Sequence, residues 1–164
     1  MIQPRENEPG KTFRHLMVLP VPWVFVLAYL AGVGLEFVLL GGGTLTGPPL
    51  VSDAGMVLFA VGAALAAWAW LIFRRARTTR VPGETSTTLV TRGPYRVSRN
   101  PMYVGLAVAY LGEAGILKQV APVAVLPLVL VYLNWIVVPI EEVRLQQAFG
   151  DKYQQYRSKV RRWL

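Results

Sequence analysis

The chain has 164 residues, 54% hydrophobic and 16% charged, with a net charge of +8 and a mean hydropathy of +0.41. Such a composition is too apolar for an ordinary soluble domain and places the chain in a bilayer. With no cysteine and a single histidine, His15, it excludes disulfides, thiolate chemistry and a zinc site built from histidines.

The first fifteen residues are polar, and the apolar run after them, 16–40, is interrupted only by Glu36. It is long enough to span and lacks a small-residue cleavage pattern, so it reads as a mature transmembrane helix, not a signal peptide. A glycine-rich connection leads to a second uncharged run, 54–73, whose alanines and glycines would let another helix approach closely. Two further runs, 101–117 and 120–140, flank the brief break Lys118–Gln119 and predict a helical hairpin. Glu36 and Glu113 fall toward the outer ends of their helices and read as interfacial or packing residues. Asn134 faces the right element for substrate but reads first as a bond to a neighbouring helix.

Positive residues set the orientation. Arg5, Lys11 and Arg14 precede the first span, seven arginines lie within 74–99, and six lysines and arginines follow from Arg144, whereas 41–53 has none. Both termini and the 74–100 connection are therefore expected on the cytoplasmic side, at the plasma (inner) membrane if the source is prokaryotic. The same charges answer to the membrane surface, so no nucleic-acid partner is expected. After the last span, Leu145, Phe149, Tyr153, Tyr156, Val160 and Trp163 recur at helical spacing and predict an amphipathic helix along the inner surface. The expected fold is a single all-α membrane domain over 1–164: four transmembrane helices and that C-terminal helix.

Two stretches resist a purely structural reading. In "RNPMY", Asn100 is expected to cap a helix begun by Pro101, whose open N–H groups and positive dipole end suit an anionic ligand group, with Tyr95 and Tyr103 beside it. At the mouth of the last span, the acidic pair Glu141 and Glu142 stands where a lysine or arginine would be ordinary. The pair is either a salt bridge to the arginine-rich connection or a holder of a cationic ligand.

Together, "LVTRGPYRVSRNPMYVG" and "EEVRLQQAFGDKYQQYRSKVRRW", separated by a hydrophobic hairpin, resemble the isoprenylcysteine carboxyl methyltransferase and phospholipid methyltransferase superfamily of integral membrane enzymes. The resemblance implies S-adenosylmethionine as cofactor, with S-adenosylhomocysteine as product, and no metal. It implies cofactor contacts from elements 87–105 and 141–163: Thr87, Thr88, Leu89, Val90, Tyr95, Arg99, Asn100, Pro101, Met102, Tyr103, Glu141 and Glu142. Tyr153 and Tyr156 also fit the pattern. Glu142 and Tyr103 are the candidates to assist the acceptor's deprotonation. The family's histidine is Asn100 here, which disfavours proton transfer at that position. Where prenylcysteine enzymes place an arginine stands Val137, so the residues do not select among amine, thiol and carboxylate acceptors entering from the lipid. The competing readings are an NADPH-dependent sterol-type membrane reductase and a small proton-coupled four-helix transporter using a carboxylate such as Glu36. Oligomeric state is not encoded in any motif.

Overall fold

In a computed structural model, residues 20–41, 47–76 and 88–164 are described. Residues 16–19 of the first expected span, the basic leading segment and Thr87 lie outside them. The described residues are helical apart from loops and one isolated parallel bridge between Ser98 and Arg161. Helix α1 is Val21–Leu40, opened by proline and closed by Gly41 in the left-handed conformation (φ 64°) that glycine adopts without steric cost. Helix α2 is Pro49–Ala76, with Arg74 and Arg75 against the negative end of its dipole. A short 3-10 turn, Gly93–Arg96, leads to α3, Pro101–Ile116, which begins at the expected proline.

Helix α4, Ala121–Tyr132, runs through a π turn, Leu133–Val137, into α5, Val138–Phe149. The π turn falls where it accommodates Pro139. Pro139 has no N–H to donate and its ring would meet the carbonyl four residues back, whereas an i→i+5 turn clears it; accordingly the Val138 N–H bonds to the Leu133 carbonyl. The last helix, α6, is Asp151–Lys159.

Among the described residues, three helices are long and apolar enough to cross a membrane: Val21–Leu39, Pro49–Ala76 and Ala121–Phe149. Their outward faces carry large apolar side chains, with Phe37 66% and Val38 78% exposed, as lipid contact requires. The expected third span, α3, has 16 residues and falls short of that criterion. It packs along α2 over a seam of small residues. A methyl group added to Gly62 would stand 2.6 Å from the Gly105 carbonyl oxygen, and one on Gly112 would meet the backbone of Phe59. The helices touch through their backbones.

The expected hairpin is present, with Lys118 at φ 53° in its turn and the Tyr110 hydroxyl donating to the Pro122 carbonyl at 2.9 Å, but its two helices are not each other's main partners. α3 takes α2 as its main partner and α4 takes α1, so the two hairpin helices splay and leave a groove between them. A core of Phe25, Tyr29, Tyr103, Tyr110, Leu126 and Leu133 joins α1, α3 and α4, with Tyr29 and Tyr110 edge to face at 4.9 Å. Glu36 takes the packing role: it is 4% exposed, and its carboxylate Oε2 accepts the N–H groups of Val120 and Ala121, both at 3.0 Å, at the start of α4.

The expected tail helix is also corrected. It breaks at Gly150 (φ 52°), resumes as α6, and ends before Val160, which is extended. The residues expected on one membrane-facing stripe are thus divided among three segments. Tyr153, 1% exposed, is buried within the protein, and the chain beyond α6 folds back onto the loop before α3.

Candidate active site

The mouth of α5 is built around the consequence of adjacency on a helix. Glu141 and Glu142 point about 100° apart, so the acidic pair faces two environments. Glu141 shares a face with Arg144 and Leu145, three and four residues on. Those three, with Phe73 of α2, Tyr95 of the 3-10 turn, and Asn100, Met102 and Tyr103 at the start of α3, line a cavity of about 390 Å³. The Tyr103 hydroxyl donates to Glu141 Oε1 at 2.7 Å, joining the last span to α3. Tyr95 is anchored on both sides: its hydroxyl reaches the Ala69 carbonyl at 3.4 Å, and its own carbonyl accepts from the Tyr156 hydroxyl at 2.7 Å. Burial, then the nearby Glu141 carboxylate, pushes the Tyr95 hydroxyl up to about 12, so it stays protonated near neutrality.

Glu142 turns the other way and is 9% exposed. Arg99 meets its Oε1 at 3.0 Å, and Arg162 from the tail grips it with two nitrogens, Nη2 to Oε2 at 2.8 Å and Nε to Oε1 at 3.1 Å. Of the two readings of the acidic pair, the salt bridge belongs to Glu142, which lines neither cavity. The tail that supplies Arg162 is bolted to the loop before α3. Arg99 N–H donates to the Arg161 carbonyl at 2.9 Å and Asn100 Nδ2 to the Arg162 carbonyl at 2.9 Å. Asn100 therefore occupies the cap position of α3 without capping it by its side chain. Tyr153 accepts from Arg99 Nη1 at 3.4 Å, behind the same ion pair.

Of the expected site residues, Tyr95, Asn100, Met102, Tyr103 and Glu141 come together around the polar cavity. Arg99 and Glu142 form its buttress, and Pro101 is buried at the helix start. Thr88, Leu89 and Val90 form an irregular lead-in that lines neither cavity. Three lining residues were not anticipated. Arg144 and Leu145 were legible as the i+3 and i+4 neighbours of Glu141, whereas nothing local marks Phe73.

On the far side of Tyr103 lies the groove left by the splayed hairpin. It is an apolar hollow of about 430 Å³ between α3 and α4, floored by side chains such as Val104, Leu111, Leu126 and Leu130. Tyr103 lines both spaces, so one tyrosine stands between a polar, charged cavity and an apolar groove.

Two curated relatives, each named a probable protein-S-isoprenylcysteine O-methyltransferase, from Oryza sativa subsp. indica and subsp. japonica, are 31% identical over 112 residues. The match covers 67% of this chain and 59% of each relative, so the chain spans about three fifths of their length. No solved structure gives a significant match. The profile of the phospholipid methyltransferase family matches residues 51–152, a stretch that holds every residue lining the polar cavity and excludes Arg162 and Trp163. By that match, the chain belongs to the phospholipid methyltransferase family.

Proposed function

We propose that this chain is an integral membrane methyltransferase that uses S-adenosylmethionine and acts on a lipophilic or amphiphilic acceptor. The observation that carries this reading is the shared wall: Tyr103 separates a cavity fit for a charged, aromatic cofactor from a groove fit for a hydrocarbon chain. The residues present suit that cofactor. Glu141 offers a carboxylate for its cationic and amino groups, Arg144 and the positive end of α3 suit its carboxylate, and Tyr95 and Phe73 offer aromatic faces to its purine. About 390 Å³ is within the range of small-ligand pockets.

When bound, this cofactor supplies an electrophilic methyl group. The chain's own task is positioning, because an in-line displacement needs donor and acceptor at about 3 to 3.5 Å with the bond aligned. Tyr103, held by Glu141, fixes the wall where the two compartments meet. Glu142 serves by holding Arg99 and Arg162, and thereby the loop and tail, in place. An acceptor that must lose a proton finds the Tyr103–Glu141 pair nearest. In the membrane we place α3 as a short fourth span supported by α2, with both termini and the polar cavity on the cytoplasmic side. Acceptors then enter from lipid. The transporter reading is disfavoured, since Glu36 Oε2 already accepts two N–H groups at the start of α4.

Purified protein in detergent tests the reading. S-adenosylhomocysteine is expected to raise the Tm, by an amount corresponding to about 2.7 kcal/mol at a hundredfold excess over Kd, with NADPH inert. Stabilisation by NADPH alone would favour the reductase. Glu141→Gln is expected to weaken S-adenosylhomocysteine binding about tenfold or more, the loss of a charge-assisted contact. Unchanged affinity by calorimetry removes Glu141 from the site.

A further inference from the structure

The groove between α3 and α4 is apolar except at one place. Four lining side chains carry polar hydrogens: Tyr103, Asn134, Trp135 and Trp163. Tyr103 donates to Glu141, and the Trp163 indole N–H donates to Asn134 Oδ1 at 3.0 Å. Trp135 is 74% exposed and faces outward. Asn134 remains. Its Oδ1 also accepts from Arg162 Nη1 at 3.3 Å. Both partners are groups that can only donate, so they determine which amide atom is oxygen and turn Nδ2 away from the tail. Asn134 thus lines the groove with both amide hydrogens uncommitted among the described residues.

The charge behind it is positive. Arg99 and Arg162 share one carboxylate, Glu142, and two guanidinium charges against one carboxylate leave one positive charge beside the amide. Glu141, the other carboxylate of the pair, lies across Tyr103 in the polar cavity together with Arg144. Arg162 polarises the amide it binds, which strengthens Nδ2 as a donor.

We propose that Asn134 is a specificity-determining residue: it donates from Nδ2 to an anionic oxygen on the head of a single-chain amphiphile whose tail lies in the groove. Asn134 lies in the π turn, both lining the groove and accepting from the tail's Arg162 and Trp163. The proposal rests on the reading of the groove as the acceptor's site, and it names the acceptor's head as carboxylate-like in place of ammonium.

The probes are radiolabelled dodecanoate and dodecylamine, matched in chain and opposite in charge. The saturable binding of each is measured on full-length protein in phosphatidylcholine nanodiscs. Wild type is expected to bind dodecanoate about tenfold more tightly than dodecylamine, the factor a hydrogen bond to a charged group supplies. Asn134→Asp, which keeps the shape and the bonds from Arg162 and Trp163 but removes the NH2 group, is expected to reverse the order. Asn134→Leu is expected to abolish it. Equal binding of both probes by wild type, or the wild-type order persisting in Asn134→Asp, overturns the proposal. Monodisperse elution and helical circular dichroism report folding, and if the aspartate variant fails them, a preference retained by Asn134→Leu is equally fatal. Thermal stabilisation by S-adenosylhomocysteine is read separately: its absence from wild type sinks the methyltransferase reading, whereas the order of the probes decides the role of Asn134 alone.

Discussion

Glu141 and Glu142 carry the same group one position apart, yet the helix gives them different neighbours and different energetics. Around Glu142, two guanidinium groups are held at 3.0 and 2.8 Å with side-chain exposures of 11% for Arg99 and 31% for Arg162. Deleting the carboxylate leaves like charges facing each other in a poorly solvated space, so Glu142→Ala is expected to cost about 3 to 5 kcal/mol of stability. The loss should appear as a drop in Tm without added cofactor. Tyr103→Phe removes one hydroxyl and leaves the ring in the shared wall. Its stability cost is expected to be about 1 to 3 kcal/mol, the loss of a hydrogen bond to a carboxylate, while turnover falls more than S-adenosylhomocysteine affinity. The split between kcat and Kd reads this directly. Tyr95 titrates near about 10 when unfolded and is pushed up to about 12 in the fold by burial, then by Glu141. Burial likewise raises Tyr153 and Tyr156. A raised pKa means that folding favours the protonated hydroxyl, so this stabilisation is complete below about pH 10 and is lost as pH rises toward 12. Unfolding measured across that window should show a shallower fall for Tyr95→Phe.

Among the elements, the α2–α3 contact decides where the site lies. Helix α3 is too short to be held by lipid alone, and its position comes from backbone contact along Gly55, Gly62, Gly105 and Gly112. A branched side chain at Gly62 would strike the Ala109 and Gly105 backbones, which cannot yield as a flexible side chain would. Gly62→Val is expected to cost about 3 kcal/mol and to weaken S-adenosylhomocysteine binding, because Met102 and Tyr103 move with α3. Thermal unfolding and calorimetry on the same preparation check both halves. The Pro139 turn acts at this scale too: one added residue in a helical turn shifts everything after it by about 100°, and that shift sets the faces that Glu141 and Glu142 present.

Across the described residues, burial is concentrated where the tail, the 92–100 loop and α5 meet and in the α1–α3–α4 core, while the outer faces of α1 and α2 stay apolar and exposed. The interior that a soluble protein of this size would need is replaced by lipid contact, and the polar groups gather where the tail, the 92–100 loop and α5 meet. That meeting ties the last residues to the start of α3: Arg161 and Arg162 carbonyls accept from Arg99 and Asn100, and Tyr156 reaches Tyr95. The tail is therefore part of the framework around the polar cavity.

Much of this was readable from residue types alone. Apolar length marks α1 and α2, since crossing hydrocarbon demands a continuous run of about 20 apolar residues whatever the neighbours are. Pro101 marks the start of α3 because its ring fits only a first turn. The polar cavity was legible in Tyr95, Asn100, Met102, Tyr103 and Glu141, which lie in two short motifs with chemistry unusual for their positions. Distance in sequence hid the rest. Assigning Glu142 to Arg99 and Arg162, placing Phe73 and Arg144 in the cavity, splaying the hairpin and turning Asn134 toward the tail all depend on which helices pack together. That packing was decided only in the tertiary structure, where glycine backbones let α2 capture α3 and Gly150 let the tail fold back.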